Sequence, residues 1–292
     1  MKGLNQVLSL VIALALPASS VAQGFQPPAS PSPRDTCPAR SLLLNFDVYQ
    51  YGERMGQAHI WQLGDDPAFF FTSGMTIDAD GAPNAYNPEN TGLDDLLNAG
   101  QPGHWDGIVQ DGDGNPIVQG PNDPFPGYYI SCTSLFDRTK RHLDPAQFVD
   151  STQIPYVALP GDLAQQSGAR LGDLVAVFSQ RTSKFSYAIF ADIGTLGEGS
   201  IALADNLGIW SDAREGGVRG GILYLVFPGS GDGQPMSVDE INQGAGALLR
   251  AWGGPEKVRS CTGIGAEGSF AWLDRNDRLD TLPAKRNPFQ GQ

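Results

Sequence analysis

The stretch Gly172–Gly194, "GDLVAVFSQRTSKFSYAIFADIG", decides the fold. It holds two short apolar runs, 172–180 and 184–194, on either side of "SQRTSKFS". Each run is rich in Val, Ile, Phe and Tyr and is bounded by Gly or Asp, which is how strands read. The polar link between them reads as a hairpin turn. The same rule marks "SLLLNFDVYQY" (41–51), "AFFFTSGMTID" (68–78), "GYYISCTSLF" (127–136), "IPYVALP" (154–160) and "GILYLVFPG" (221–229) as strands. Helical signals are fewer. "GLDDLLNAG" (92–100) is a short one, and "GSIALADNLG" (199–208) has Ser200 to open it and Gly208 to stop it. "SVDEINQGAGALLRAWGG" (237–254) has Ser237 and Glu240 at capping-box spacing and ends on Gly253-Gly254. Strands and helices do not alternate regularly, which argues against a doubly wound parallel sheet. The expectation is a mainly β, α+β chain with a β-barrel-like core of about six to seven strands and a few short packed helices.

Outward from that core, residues 1–22 read as a Sec signal peptide. Lys2 supplies the positive start, Leu8 to Leu16 a short apolar run that Pro17 breaks, and Ser20-Val21-Ala22 the small residues before a cleavage site at Gln23. Residues 23–39 form a Pro/Ser-rich lead-in, 40–282 one catalytic-sized domain, and 283–292 a tail. Export to a periplasm or beyond the cell follows, with no membrane anchor expected. The three cysteines, Cys37, Cys132 and Cys261, allow at most one internal disulfide. Cys37 and Cys261 sit near the two ends of the core, where a clasp could join them; their spacing alone does not fix the pairing. The formal net charge is −13, or −14 without Lys2. That argues against nucleic acid, which needs a basic footprint, and favours either plain solubility or a cationic partner.

Several motifs fall away. "DGDGNP" (111–116) spaces Asp111, Asp113 and Asn115 like a calcium loop, but Pro116 stands where glycine is needed and Asn122 where glutamate is. His59, His104 and His142 are scattered, with no Cys or Glu at metal spacing, so no metal and no cofactor is expected. "FPGSGDG" (227–233) lacks the Lys-Ser/Thr of a phosphate loop. "IFADIG" resembles half of an aspartic-protease site, but only one good copy occurs and two are required.

Asp192 and Glu198 remain. Phe190, Ala191 and Ile193 give Asp192 apolar company, which disfavours its charged form. Gly194, Gly197 and Gly199 permit a tight turn and close approach of a ligand. A pair of carboxylates is what glycoside hydrolysis requires, one to protonate the leaving oxygen and one to activate water or attack. Spacing alone also fits an ordinary turn.

Three blocks, in order, tilt the balance: "MTIDADGAPNAYNP" (75–88), "YVALPGD" (156–162) and "YAIFADIGTLGEGSIALADNLG" (187–208). Together they resemble the family 75 glycoside hydrolases, the fungal-type chitosanases, over roughly residues 70–230, and are most similar to the bacterial branch. The resemblance implies a β-barrel-like catalytic domain and an endo-acting, inverting hydrolase of β-1,4-linked glucosamine. It implies Asp192 as the base that positions water and Glu198 as the proton donor. The loop between the two is shorter than in fungal members. The environment read from the residues points the other way on roles, because Glu198 precedes a helix whose N-terminus favours its charged form. The family's assignment is adopted.

Chitosan is a polycation in mildly acid water, so the acidic chain would attract it. Asp78 and Asp80, with Asp94 and Asp95 behind them, are the candidate amine contacts. Tyr86 and Trp105 are the candidate sugar-stacking faces, Trp105 being equally suited to the core. The expected protein is a monomer. The rival readings are a hydrolase of another amino-sugar polysaccharide and a non-catalytic carbohydrate-binding envelope protein on the same scaffold.

Overall fold

The computed structural model describes residues 37–50 and 53–262. The expected signal peptide, nearly all of the lead-in, the end of the domain and the tail lie outside the described residues. Among the described residues, ten strands and four α-helices follow in chain order. They are β1 (Arg40–Gln50), β2 (Glu53–Leu63), β3 (Phe69–Asp78), β4 (Gly100–Gln101), β5 (His104–Trp105), β6 (Tyr156–Leu159), α1 (Gly161–Ser167), β7 (Leu174–Ser179), β8 (Lys184–Ile193), β9 (Glu198–Ser200), α2 (Ile201–Leu207), β10 (Val218–Phe227), α3 (Val238–Trp252) and α4 (Gly254–Thr262). The main sheet runs β1-β2-β3-β10-β7-β8-β6-β9, and β9 returns to pair with β3. Strands β3, β10, β7, β8, β6 and β9 therefore close a six-stranded barrel, and the β1–β2 hairpin extends it at β3. Closure leaves these strands no free edge.

Side-chain alternation sorts the barrel into two apolar layers. Phe71, Met75, Val157, Val175, Val177, Phe190, Ile222 and Tyr224 belong to one buried cluster. Their alternates Phe70, Ala176, Phe178, Tyr187, Ile189, Leu223 and Leu225 belong to a second, which includes Ile241, Ala245, Leu249 and Trp252 of α3. A six-stranded barrel has no room inside for the fifteen-residue α3, so the layer that meets α3 is the outer face; the first lines the barrel interior and continues into the short helices α1 and α2. Helix α3 opens with the expected capping box between Ser237 and Glu240, and Cys37 and Cys261 are joined, bridging the strand side to α4.

The hairpin at 180–183 forms as expected, with Val175↔Ala188 and Val177↔Ser186 in register. Two sequence expectations are corrected. The expected strand at 127–136 makes only isolated bridges, such as Ile108↔Ser131, Val118↔Tyr129 and Phe136↔Phe148. Its partners change every few residues: Tyr129 N–H donates to Tyr86, Ile130 to Ile117, Cys132 to Gly107 and Leu135 to Ala191. No single neighbour runs beside it long enough to build a ladder. The expected helix at 92–100 shrinks to a 3-10 turn, Leu96–Ala99. There Asp94 and Asp95 accept nearby backbone N–H groups, the local bonding that competes with helix formation. Helix α2 has the expected bounds, with Ser200 capping Leu203 N–H and Gly208 ending it in the left-handed conformation, and Glu198 begins the short strand β9 that leads into it.

Candidate active site

Register brings the acids together. Thr76 pairs with Glu198, Glu198 with Ala158, and Ala158 with Asp192, so one row crosses β3, β9, β6 and β8. Thr76 alternates with inward-facing Met75 and Ile77, so Thr76 and, two residues on, Asp78 face outward. Asp192 would face inward with Phe190. A β-bulge intervenes: Val157 opposes Phe190, but the next residue, Ala158, opposes Asp192. The extra residue turns Asp192 to the outer face, a re-aiming that bulges perform beside functional sites. Over this patch of wall lies the segment 79–155, which carries Asp80, Tyr86, Asp94 and Ser134. The acids sit in the seam between wall and cover. Asp78 and Asp192 are buried, while Asp80 and Glu198 keep part of their surface open.

Each member of the expected pair is held by one oxygen. Asp192 Oδ1 accepts from Ser134 N (3.0 Å), Ser134 Oγ (2.5 Å) and its own neighbour Ile193 N (2.8 Å). Glu198 Oε2 accepts from Thr195 N (2.8 Å) and Thr195 Oγ1 (3.0 Å). Among the described residues no hydrogen bond reaches Asp192 Oδ2 or Glu198 Oε1, so one oxygen of each is left for chemistry. Gly194 lies so close to Glu198 Oε2 that a methyl group there would collide with it. The glycine is therefore needed for approach, as the sequence suggests for this turn.

Behind the pair runs a polar chain. Asp78 Oδ1 accepts from Asp80 N (2.8 Å). Asp80 Oδ1 accepts from the Tyr86 hydroxyl (2.7 Å), which also lies 3.2 Å from Asp94 Oδ2. Asp94 Oδ1 accepts from Asn98 Nδ2 and Asp95 N, both at 2.7 Å. A Cβ on Gly107 would fall 2.5 Å from Asp80 Oδ1, so backbone closes over that carboxylate. Oxygens of Asp78, Asp80 and Asp192 all lie within 4.8 Å of one another, a spacing that lets the three surround one cation, whether an ammonium or a metal ion.

Positive charge is scarce here. The ion pairs among the described residues join Arg54 to Asp47, Arg141 to Asp123, Lys257 to Asp66 and Arg259 to Glu256, all elsewhere. Arg214 approaches only from the Asp94 side, through backbone carbonyls of Asn90, Gly92 and Asp94. The acids accordingly hold protons tightly. Burial, then the charges of Asp80, Glu198 and Asp192, pushes Asp78 well above the carboxylate range. Burial and Asp192 do the same to Asp80. Burial lifts Asp94 to about 6. Burial also raises Asp192, against the pull of Ser134 and Ile193, and raises Glu198, against Thr195 and with help from the charges of Asp192 and Asp94.

The structure thus brings Asp78, Asp80, Asp192 and Glu198 into one site. Tyr86 and Trp105 do not offer stacking faces: Tyr86 is 2 % exposed and gives the site its hydroxyl, and Trp105, on β5 outside the barrel, is 9 % exposed in the same buried apolar cluster. Asp95 caps the 3-10 turn. The "DGDGNP" loop satisfies itself, with Asp111 Oδ1 accepting from Asp113 N and Asn115 N. Ser134 and Thr195 were not expected. Thr195 lies between the two acids and could be found from them; Ser134 is 58 residues from Asp192 and has no sequence signal. The chain matches no protein-family model and no curated protein.

Proposed function

We propose that the chain is an exported, endo-acting glycoside hydrolase that cleaves β-1,4-glucosaminide bonds of chitosan, with Asp192 as base and Glu198 as acid. The observation that carries this reading is the excess of carboxylates with no basic side chain among them. Two of these acids each have one oxygen held and one free. Such a site favours a cationic ligand, and a chain of glucosamine units brings an ammonium on every ring.

The hydrogen bonds support these roles. Three donors on one oxygen favour the ionised form of Asp192. Glu198 has two, and it lies in the field of Asp192 and Asp94, which favours its protonated form. Glu198 stands two residues before the Ser200 cap of α2, and its donors come from the Thr195 turn and not from the helix N-terminus. In the reaction, Asp192 takes a proton from water as the water oxygen attacks the anomeric carbon. Glu198 gives its proton to the glycosidic oxygen as that bond breaks. No covalent intermediate forms, and the new reducing end has inverted configuration. The ammonium of the bound ring supplies the positive charge that favours the ionised forms of Asp78 and Asp80, which then hold it, and the anionic surface draws the polymer in.

The test is reducing-end release at mildly acid pH from fully deacetylated chitosan, chitin and a neutral β-1,4-glucan, with the first product's anomer read by proton NMR. The reading expects deacetylated chitosan to be cleaved fastest, giving the α-anomer. A neutral glucan cleaved equally well, or a β-anomer as first product, would overturn it.

A further inference from the structure

The two aromatics with the best sequence claim to a sugar face are buried, whereas Trp210 is 61 % exposed. A lone exposed aromatic is ordinary on a protein surface. This one is set apart by where its loop is anchored. The loop 208–217 joins α2 to β10. The Trp210 carbonyl accepts from Gly217 N (2.7 Å). Gly217, at φ 94°, is pressed against the Met75 carbonyl and Thr76 Cα, with no room for a side chain. Thr76 is the register partner of Glu198. From the same loop, Arg214 Nη2 donates to the carbonyls of Asn90, Gly92 and Asp94 at 2.8 to 3.2 Å. The loop is therefore fastened on one side to the strand beside the proposed acid and on the other to the segment that covers the acidic site. Ser211 Oγ, bonded to Asp205 Oδ1 (2.6 Å), secures its start to α2. Among the described residues the Trp210 ring has no aromatic or cationic partner.

The geometry points to Trp210 as a stacking platform for a pyranose ring of the glycan chain, in a subsite flanking the catalytic pair. This rests on the hydrolase reading above and adds to it a subsite that the acidic cluster itself does not provide. A pyranose presents axial C–H groups on its faces, and the indole offers a wide, rigid, apolar surface with a negative π-face. That face also suits a ring carrying an ammonium group. A platform held by backbone bonds loses little freedom on binding, which is the condition for a ring contact to add affinity.

Two measurements on the full chain test it. In the first, Trp210→Ala and Trp210→Tyr are compared with wild type on deacetylated chitosan. The Ala variant should raise KM roughly tenfold with kcat unchanged, and the Tyr variant should restore most of the loss. An exposed side chain leaves folding untouched, so the melting temperature should stay at the wild-type value. In the second, glucosamine hexamer is titrated into Glu198→Gln while tryptophan emission is followed. The emission should change, and Trp210→Phe in that background should abolish the change. If the wild type cleaves chitosan but Trp210→Ala leaves KM unaltered and Trp210→Phe leaves the emission change intact, the platform is refuted while the hydrolase reading stands. If the wild type cleaves no glycan yet the Trp210 emission responds to the hexamer, the hydrolase reading fails and the platform stands. If neither occurs, both fall.

Discussion

Ser134 decides how Asp192 can act. Its N–H and hydroxyl both donate to Oδ1, and the hydroxyl also accepts from Ile193 N (3.2 Å). Donors to the ionised form lower a carboxylate's pKa and oppose the burial that raises it. Asp78, Asp80 and Glu198 face the same carboxylate, and each favours its protonation when charged. Removing the hydroxyl with Ser134→Ala should therefore raise the Asp192 pKa. The acid limb of kcat/KM, set by ionised Asp192, should move up by about one unit, with the basic limb in place and the rate at the optimum reduced. Ser134→Thr should return the limb to its place. A limb that does not move, or moves down, contradicts this role. At this scale the sequence was half legible. Asp192 and Glu198 stood out because a glycine-rich turn joins them, and Thr195 lies between. Ser134 did not, because the fold alone brings it across 58 positions. Aromatic residues mislead in the same way: "GHWDG" and "GIWSD" look alike in sequence, but Trp105 is buried and Trp210 exposed.

Among the elements, the barrel strands were legible because each pairs along its length and needs β-branched or aromatic residues on both faces. Strand β2, "ERMGQAHIWQL", was not, since it reads as polar and borrows its register from β1. The cover segment was misread for the opposite reason, its apolar residues serving isolated bridges. The end of β3 and that cover carry the electrostatic strain of the site. Burial raises Asp78, Asp80, Asp94, Asp192 and Glu198 above their unfolded values. Over that window the folded chain binds more protons than the unfolded chain. The stability these acids leave intact below about pH 4 is then lost as pH rises through the folded values, about 6 for Asp94. The melting temperature should fall between about pH 5 and pH 8. Asp78→Asn, which keeps the acceptor for Asp80 N, should raise it by a few degrees at the upper end and leave it unchanged near pH 4. A melting temperature that climbs with pH, or is indifferent to Asp78→Asn at neutral pH, contradicts the account.

For the whole molecule, the barrel sorts its faces by use. The interior is packed with Phe, Met, Val and Ile, one outer flank is sealed by α3 and α4, and another carries the acids under a long irregular cover. The bond between Cys37 and Cys261 closes a span of 224 residues and ties the start of β1 to the last helix. The mainly β class and the barrel were legible from strand-like runs without alternating helices. The closure through β9 was not, because three residues, "EGS", carry no periodicity. That closure places Glu198 in the row that ends at Asp192, on which the hydrolase reading depends. The most direct measurement is reducing-end release from deacetylated chitosan by wild type, Asp192→Asn and Glu198→Gln, prepared alike and checked for equal folding. The account predicts an active wild type and a loss of at least about a hundredfold in each variant. Near-wild-type turnover in either variant, or a wild type inert on chitosan, would contradict it.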